Sequence, residues 1–126
     1  MTIVVDTSVL IDHLRGDARA TGCLSAAVEA GERLVGSVLT RVEVLAGMRT
    51  DEAEATSRLL DALDWVVVDR ALADEAGRLA QRFLRSHPGV DPVDYVIAAT
   101  VRRVDGQLWT GNVGYFPMFA GLAPPY

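Results

Sequence analysis

Apolar residues along this chain fall into two recurring patterns. Short, mostly apolar runs at 3–5, 33–39, 65–68 and 107–110 have the length and composition of strands buried on both faces. Between them, apolar residues recur every three or four positions, as on amphipathic helices. Ser8 can cap a helix that carries Val9, Leu10, Ile11 and Leu14 and ends near Gly16, and Asp17 starts a second that stops at Gly31. Residues 40–48 and 52–63 read as two more, the latter with Leu59, Leu60 and Leu63 on its inner side. A long amphipathic helix covers 71–86, with Leu72, Ala76, Leu79, Ala80 and Phe83 at helical spacing. A last helix covers 91–103, with Pro92 at its first position. The Pro-rich tail offers a short edge strand near Leu122.

Strands alternating with helices predict βαβ units and a parallel sheet of four to five strands, covered on both faces. The chain of 126 residues fits one domain, and it shows no repeat or linker. In such sheets the crevice outside the carboxyl ends of the strands is where ligands bind. The residues just after each strand therefore matter most.

Acids occupy those places. Asp6 follows the first strand, Glu43 lies early in the helix after the second, and Asp94 lies in the first turn of the helix before the fourth. Each has a structural explanation. Thr40 and Glu43 have the spacing of a capping box, Asp91 can cap the last helix with Asp94 at N3, and Asp6 can cap the first. Together they say more, because helices that follow parallel strands start at one edge of the sheet. Ile97, Ala98 and Val101 put the Asp94 face of its helix toward the core. Converging carboxylates repel unless protonated or neutralised by a cation. An all-oxygen set suits Mg²⁺ or Mn²⁺, and Cys23, His13 and His87 lack the spacing of a zinc site. The chemistry implied is hydrolysis of a phosphodiester.

The stretches VVDTSVLID, TRVEVLAG, DPVDYVIAATV and WTGNVGYF resemble, in order, the four motifs of PIN-domain ribonucleases, above all the VapC-type toxins of bacterial toxin–antitoxin pairs. The resemblance implies a three-layer α/β/α fold and cleavage of tRNA or rRNA. It also implies a homodimer and inhibition by a cognate VapB-type antitoxin. By position, Asp6, Glu43 and Asp94 match the three central acids, with Mg²⁺ or Mn²⁺ as their cofactor. Thr7 and Ser8 match the polar pair after the first acid, and Thr110 and Asn112 match the T-x-N of the fourth motif. Tyr115 stands where many relatives carry Asp, Glu or His, so the fourth acidic position is missing or displaced. Asp91 either compensates or only caps its helix. The alternative reading is a module that keeps the fold and binds RNA or antitoxin without cutting.

Charge bears on the substrate. The net charge is −5, which excludes nucleic-acid binding by a uniformly basic surface but not by a local rim. All twelve basic residues are arginine, a side chain suited to phosphate. Arg15, Arg41, Arg49, Arg102 and Arg103 are candidates for such a rim, with Arg41 the first choice and Tyr115 a possible base-stacking partner. Val9, Leu10, Leu45 and Met48 are apolar candidates for an antitoxin groove. The single cysteine excludes an internal disulfide, and no apolar run is long enough to span a bilayer. A cytoplasmic setting is the expectation.

Overall fold

The computed structural model describes residues 1–126. Strands β1 (Thr2–Val5), β2 (Arg33–Ser37), β3 (Asp64–Val66) and β4 (Gln107–Trp109) form one sheet in the order β3-β2-β1-β4, parallel throughout. Helices α1 (Thr7–Leu14) and α2 (Ala18–Glu29) join β1 to β2. Helices α3 (Val38–Ala46) and α4 (Ala53–Asp61) join β2 to β3, and α5 (Arg70–Phe83) and α6 (Pro92–Arg103) join β3 to β4.

The period-two alternation of strand side chains divides the interior. Ile3, Val5 and Leu34 pack against Val9, Leu10, Leu24, Val44 and Leu60 of α1–α4. Val4 and Val35 point the other way, against Leu72 and Leu79 of α5 and Ile97 and Val101 of α6. The result is three layers. The chain steps outward from β1 to β3, then returns past β1 to lay down β4 on the far side. Right-handed crossovers in opposite directions place α1–α4 on one face and α5–α6 on the other. The order reverses between β1 and β4, so the crevice opens at the carboxyl ends of those two strands.

Several boundaries differ from the sequence expectation, each for a local reason. Helix α1 is capped by Asp6, not Ser8, because the Asp6 carboxylate accepts the Thr7 N–H at 2.8 Å. The run 33–39 is part strand and part helix: Ser37 accepts the Leu39 N–H at 3.2 Å and caps α3 three residues before Thr40, so that the helix begins at Val38. The Thr40–Glu43 capping box is therefore absent. Thr40 is instead fully buried, with its hydroxyl unpartnered. The tail forms no strand, leaving the sheet at four. Val9 and Leu10 are entirely buried and cannot line a groove, whereas Leu45 and Met48 remain exposed.

One contact in the sheet tolerates no added atom. Gly36 pairs with Trp65, and a Cβ on Gly36 would sit 2.6 Å from Cζ3 of that indole. The indole cannot easily yield, since its Nε1 donates to the Leu60 carbonyl at 2.9 Å and Arg41 lies over its ring at 5.2 Å. Gly36→Ala is expected to cost about 1–3 kcal/mol of stability, the range for overpacking a closed site. Urea denaturation measures it, and an unchanged midpoint would mean that the ring swings aside.

Candidate active site

Asp6 is the fixed point of the crevice. Its N–H donates to the Trp109 carbonyl at 2.9 Å, which ties the end of β1 to the end of β4. One carboxylate oxygen caps α1 through the Thr7 N–H. The other accepts the Thr110 hydroxyl at 2.8 Å. The Thr110 oxygen in turn accepts the Asn112 N–H at 3.0 Å, and Ser8 Oγ accepts the Gly111 N–H at 2.9 Å. The T-G-N stretch is thereby stapled to the start of α1. Asp6 is only 7% exposed, and burial raises its pKa against the lowering effect of the Thr110 and Thr7 bonds.

The other acids are held more loosely. Glu43 lies in the second turn of α3, is exposed, and accepts the Thr7 hydroxyl at 2.8 Å. Asp91 caps α6 through the Val93 N–H at 2.9 Å, and Asp94 at N3 accepts the Asp91 N–H at 3.2 Å. The capping box expected at this helix is thus formed. Asp94 is half-buried, and its pKa is pushed up to about 6, first by desolvation and then by the negative charges of Asp6, Asp91 and Glu43. That repulsion is consistent with the carboxylates sharing one space.

The space is a cavity of about 490 Å³ walled by Asp6, Thr7, Ser8, Ile11, Asp12, Glu43, Asp91, Val93, Asp94, Asn112 and Tyr115. Five carboxylates face it and no basic residue does. Asp12 escaped the sequence reading, although its i+4 spacing from Ser8 places both on one face of α1. Its carboxylate accepts the Tyr126 hydroxyl at 2.6 Å. Tyr115 is on the wall and 48% exposed.

Two arginines proposed for RNA lie elsewhere. Arg41 stacks on Trp65 beside α4, away from the acids, because α3 begins early and rotates it outward. Arg15 is engaged by Glu52 and by the Gly47 carbonyl. The donors on the cavity wall are carboxylate, hydroxyl and amide oxygens, without histidine or cysteine, a set that fits Mg²⁺ or Mn²⁺. No three His, Cys, Asp or Glu side chains approach tightly enough to enclose an ion unaided. The fit is thus to an ion that keeps several of its waters, as Mg²⁺ does.

Comparison with known proteins places this geometry. The PIN-domain profile matches residues 3–115. The chain belongs to the PIN-domain family. This PIN domain is 45% identical over 123 residues to Ribonuclease VapC19 of Mycobacterium tuberculosis, with 98% of each chain covered. It is 41% identical over 124 residues to Ribonuclease VapC10 of the same species, covering 98% of this chain and 92% of that one. Among solved structures it resembles a toxin–antitoxin complex from Klebsiella pneumoniae, with a TM-score of 0.80, 25% identity and 98% of both chains covered. The fold is also shared with VapBC2 from Rickettsia felis bound to a DNA fragment from their promoter, with a TM-score of 0.79, 14% identity, and 98% and 97% of the chains covered.

The repulsion among the acids has a thermodynamic consequence. A carboxyl whose pKa rises on folding favours the folded state below its unfolded pKa and loses that contribution as pH climbs through the folded value. For Asp94 the window runs from the ordinary 3.8 to about 6. The metal-free PIN domain is therefore expected to gain stability from this group as pH falls from 7.5 toward 5. Asp94→Asn should stabilise it at pH 7.5 by about 1 kcal/mol, after discounting for the side chain's exposure. Thermal melts in chelator at both pH values measure this, and an Asp94→Asn variant less stable than wild type at pH 7.5 would contradict it.

Proposed function

We propose that this PIN domain is a metal-dependent endoribonuclease, the toxin of a type II toxin–antitoxin pair, which hydrolyses phosphodiester bonds in tRNA or rRNA. The observation that carries the reading is the convergence of Asp6, Glu43 and Asp94 on one cavity at the switch point of the sheet. Relatives that match nearly the whole chain are named ribonucleases, which supports the same activity here.

Asp6, Glu43 and Asp94 are the residues that would hold Mg²⁺ or Mn²⁺. Bound there, the cation would supply Lewis acidity and would offset the negative charge of the carboxylates. The chain's own groups divide the remaining work. Asp6 is immobilised by two hydrogen bonds and sets the frame. Glu43 and Asp94 are more exposed and free to adjust to an ion and a substrate together. Thr7 orients Glu43, and Thr110 orients Asp6. Asn112 makes no side-chain cap bond and lines the cavity, so its amide is available to a phosphate oxygen. Asp91 and Asp12 bring the wall to five carboxylates without an acid at Tyr115, which favours the catalytic reading over one of binding alone.

Regulation follows from the same charge. The proposed VapB-type antitoxin places an arginine among the carboxylates, where a guanidinium substitutes for the cation. The structural neighbour from Klebsiella pneumoniae, a toxin–antitoxin complex, supports such a partner. Leu45 and Met48, exposed at the end of α3, are apolar positions left for the antitoxin or for a second copy in a homodimer.

Purified protein with Mn²⁺ is expected to cut total tRNA or rRNA, and Asp94→Asn to slow this by more than about 100-fold, beyond the range for second-shell losses. Equal cutting by wild type and Asp94→Asn would sink the assignment. Thr110→Val, which removes the hydroxyl that orients Asp6 and accepts the Asn112 N–H, should cost about 10- to 100-fold with the fold intact by circular dichroism. Calorimetric titration of the free protein should show one strong Mn²⁺ site and a weak second, and two strong sites would contradict that division.

A further inference from the structure

The cavity that would cut RNA presents five carboxylates and no cation of its own, so the polyanion must be gripped somewhere else. The distribution of arginines shows where. Of the twelve, Arg15, Arg19, Arg33, Arg58 and Arg103 form ion pairs with carboxylates of the chain. Arg41 is stacked on Trp65, and Arg49 lies at the start of a 3₁₀ turn after α3. The other five, Arg70, Arg78, Arg82, Arg85 and Arg102, form no ion pair, and all lie on α5, on α6 or in the turn that follows α5.

Three of these converge. Arg78 and Arg82, one turn apart on α5, and Arg102, near the end of α6, line a cavity of about 290 Å³ with Glu75 and Leu79. Three positive charges face one negative, and Glu75 ion-pairs with none of them. Asp74, also one turn before Arg78, forms no ion pair either. Leaving three unneutralised guanidinium groups together costs repulsion, in a chain that has acids to spare. A site for an anion explains the arrangement, because guanidinium groups from two rigid helices offer forked donors to phosphate oxygens.

The direction of the helices turns the Arg82 side of this cavity toward the acids and the Arg102 side toward the far end of the pair. Arg103 at the end of α6 bonds Asp69 at the start of α5, at 2.9 Å, so the two helices run antiparallel. The end of α5 therefore lies at the same end of the pair as Asp91 and Asp94. Arg78 and Arg82, at i and i+4, lie on one face of α5 and step toward the carboxylate end, and Arg85 follows in the turn beyond.

We propose that Arg78, Arg82 and Arg102 form a phosphate-binding exosite that holds the backbone of the RNA while a neighbouring segment enters the carboxylate cavity. The site rests on the ribonuclease reading for the identity of its ligand, but its binding can be measured without cleavage. The probe is a fluorescein-labelled, mixed-sequence single-stranded RNA of 20 nucleotides, titrated by anisotropy in chelator at several salt concentrations. Arg78→Glu/Arg82→Glu is expected to weaken binding about tenfold and to lower the slope of log affinity against log salt by about 1.4, since each phosphate contact on a single strand contributes about 0.7. Arg78→Lys/Arg82→Lys, which keeps the charge, should retain most of the slope and shows that the surface is not merely misfolded. Arg70→Glu, outside the cavity, should leave the slope within about 0.3 of wild type. Wild-type affinity and slope in the double glutamate variant would overturn the exosite, including the case where that variant instead loses an acidic protein partner. If wild type binds through these arginines yet cuts no RNA with Mn²⁺, the exosite stands and the ribonuclease reading falls.

Discussion

The bond from the Thr110 hydroxyl to the Asp6 carboxylate is the contact on which the crevice depends. It joins residues 104 positions apart at the place where the sheet reverses its strand order. A carboxylate buried at that depth is stable only when its oxygens are occupied, and here a helix amide takes one and a hydroxyl the other. Around that anchor the site is made of helix starts. Backbone amides at the heads of α1 and α6 face the crevice, and side chains at those heads bring negative charge to a region the helix dipoles favour. Asp6, Asp91 and Asp94 serve as caps and also face the crevice, so each has a structural explanation of its own, whereas Glu43 in the second turn of α3 caps nothing.

The acids show a gradient of freedom. Asp6 is locked, Asp94 is half-buried and strained by its neighbours' charge, and Glu43 is exposed with a single tether. Such a set is rigid where the frame must not move and compliant where the proposed cation and substrate would have to be accommodated. The cost is borne by folding stability at neutral pH, as is common where acids are held together for function.

Much of this was legible in the sequence. Strand and helix order, the two-sided burial of the sheet and the Asp91–Asp94 cap follow from period and cap chemistry alone. The start of α3 did not, because the apolar residues of RLVGSVL continue past Ser37, which serves both as the last strand residue and as the cap. That shift of three residues turns Arg41 onto Trp65 and dissolves the Thr40–Glu43 box. Asp12 carries no such signal, since it does not follow a strand directly and reaches the cavity along α1. The arginine cavity between α5 and α6 could not be read at all, because it needs two helices that are 20 residues apart in places to lie side by side in opposite directions.

The separation between Asp6 and Thr110 also bears on how such a chain is made. Synthesis runs from the amino end, and Asp6 emerges from the ribosome long before β4 and the T-G-N stretch exist. Until Thr110 and Asn112 are out, β1 lacks its partner on one side and Asp6 lacks the hydroxyl that fixes it. A growing chain therefore carries all its acids but not their frame. Assembly of the crevice therefore waits for the carboxyl-terminal part of the chain, which supplies both β4 and the hydroxyl that fixes Asp6.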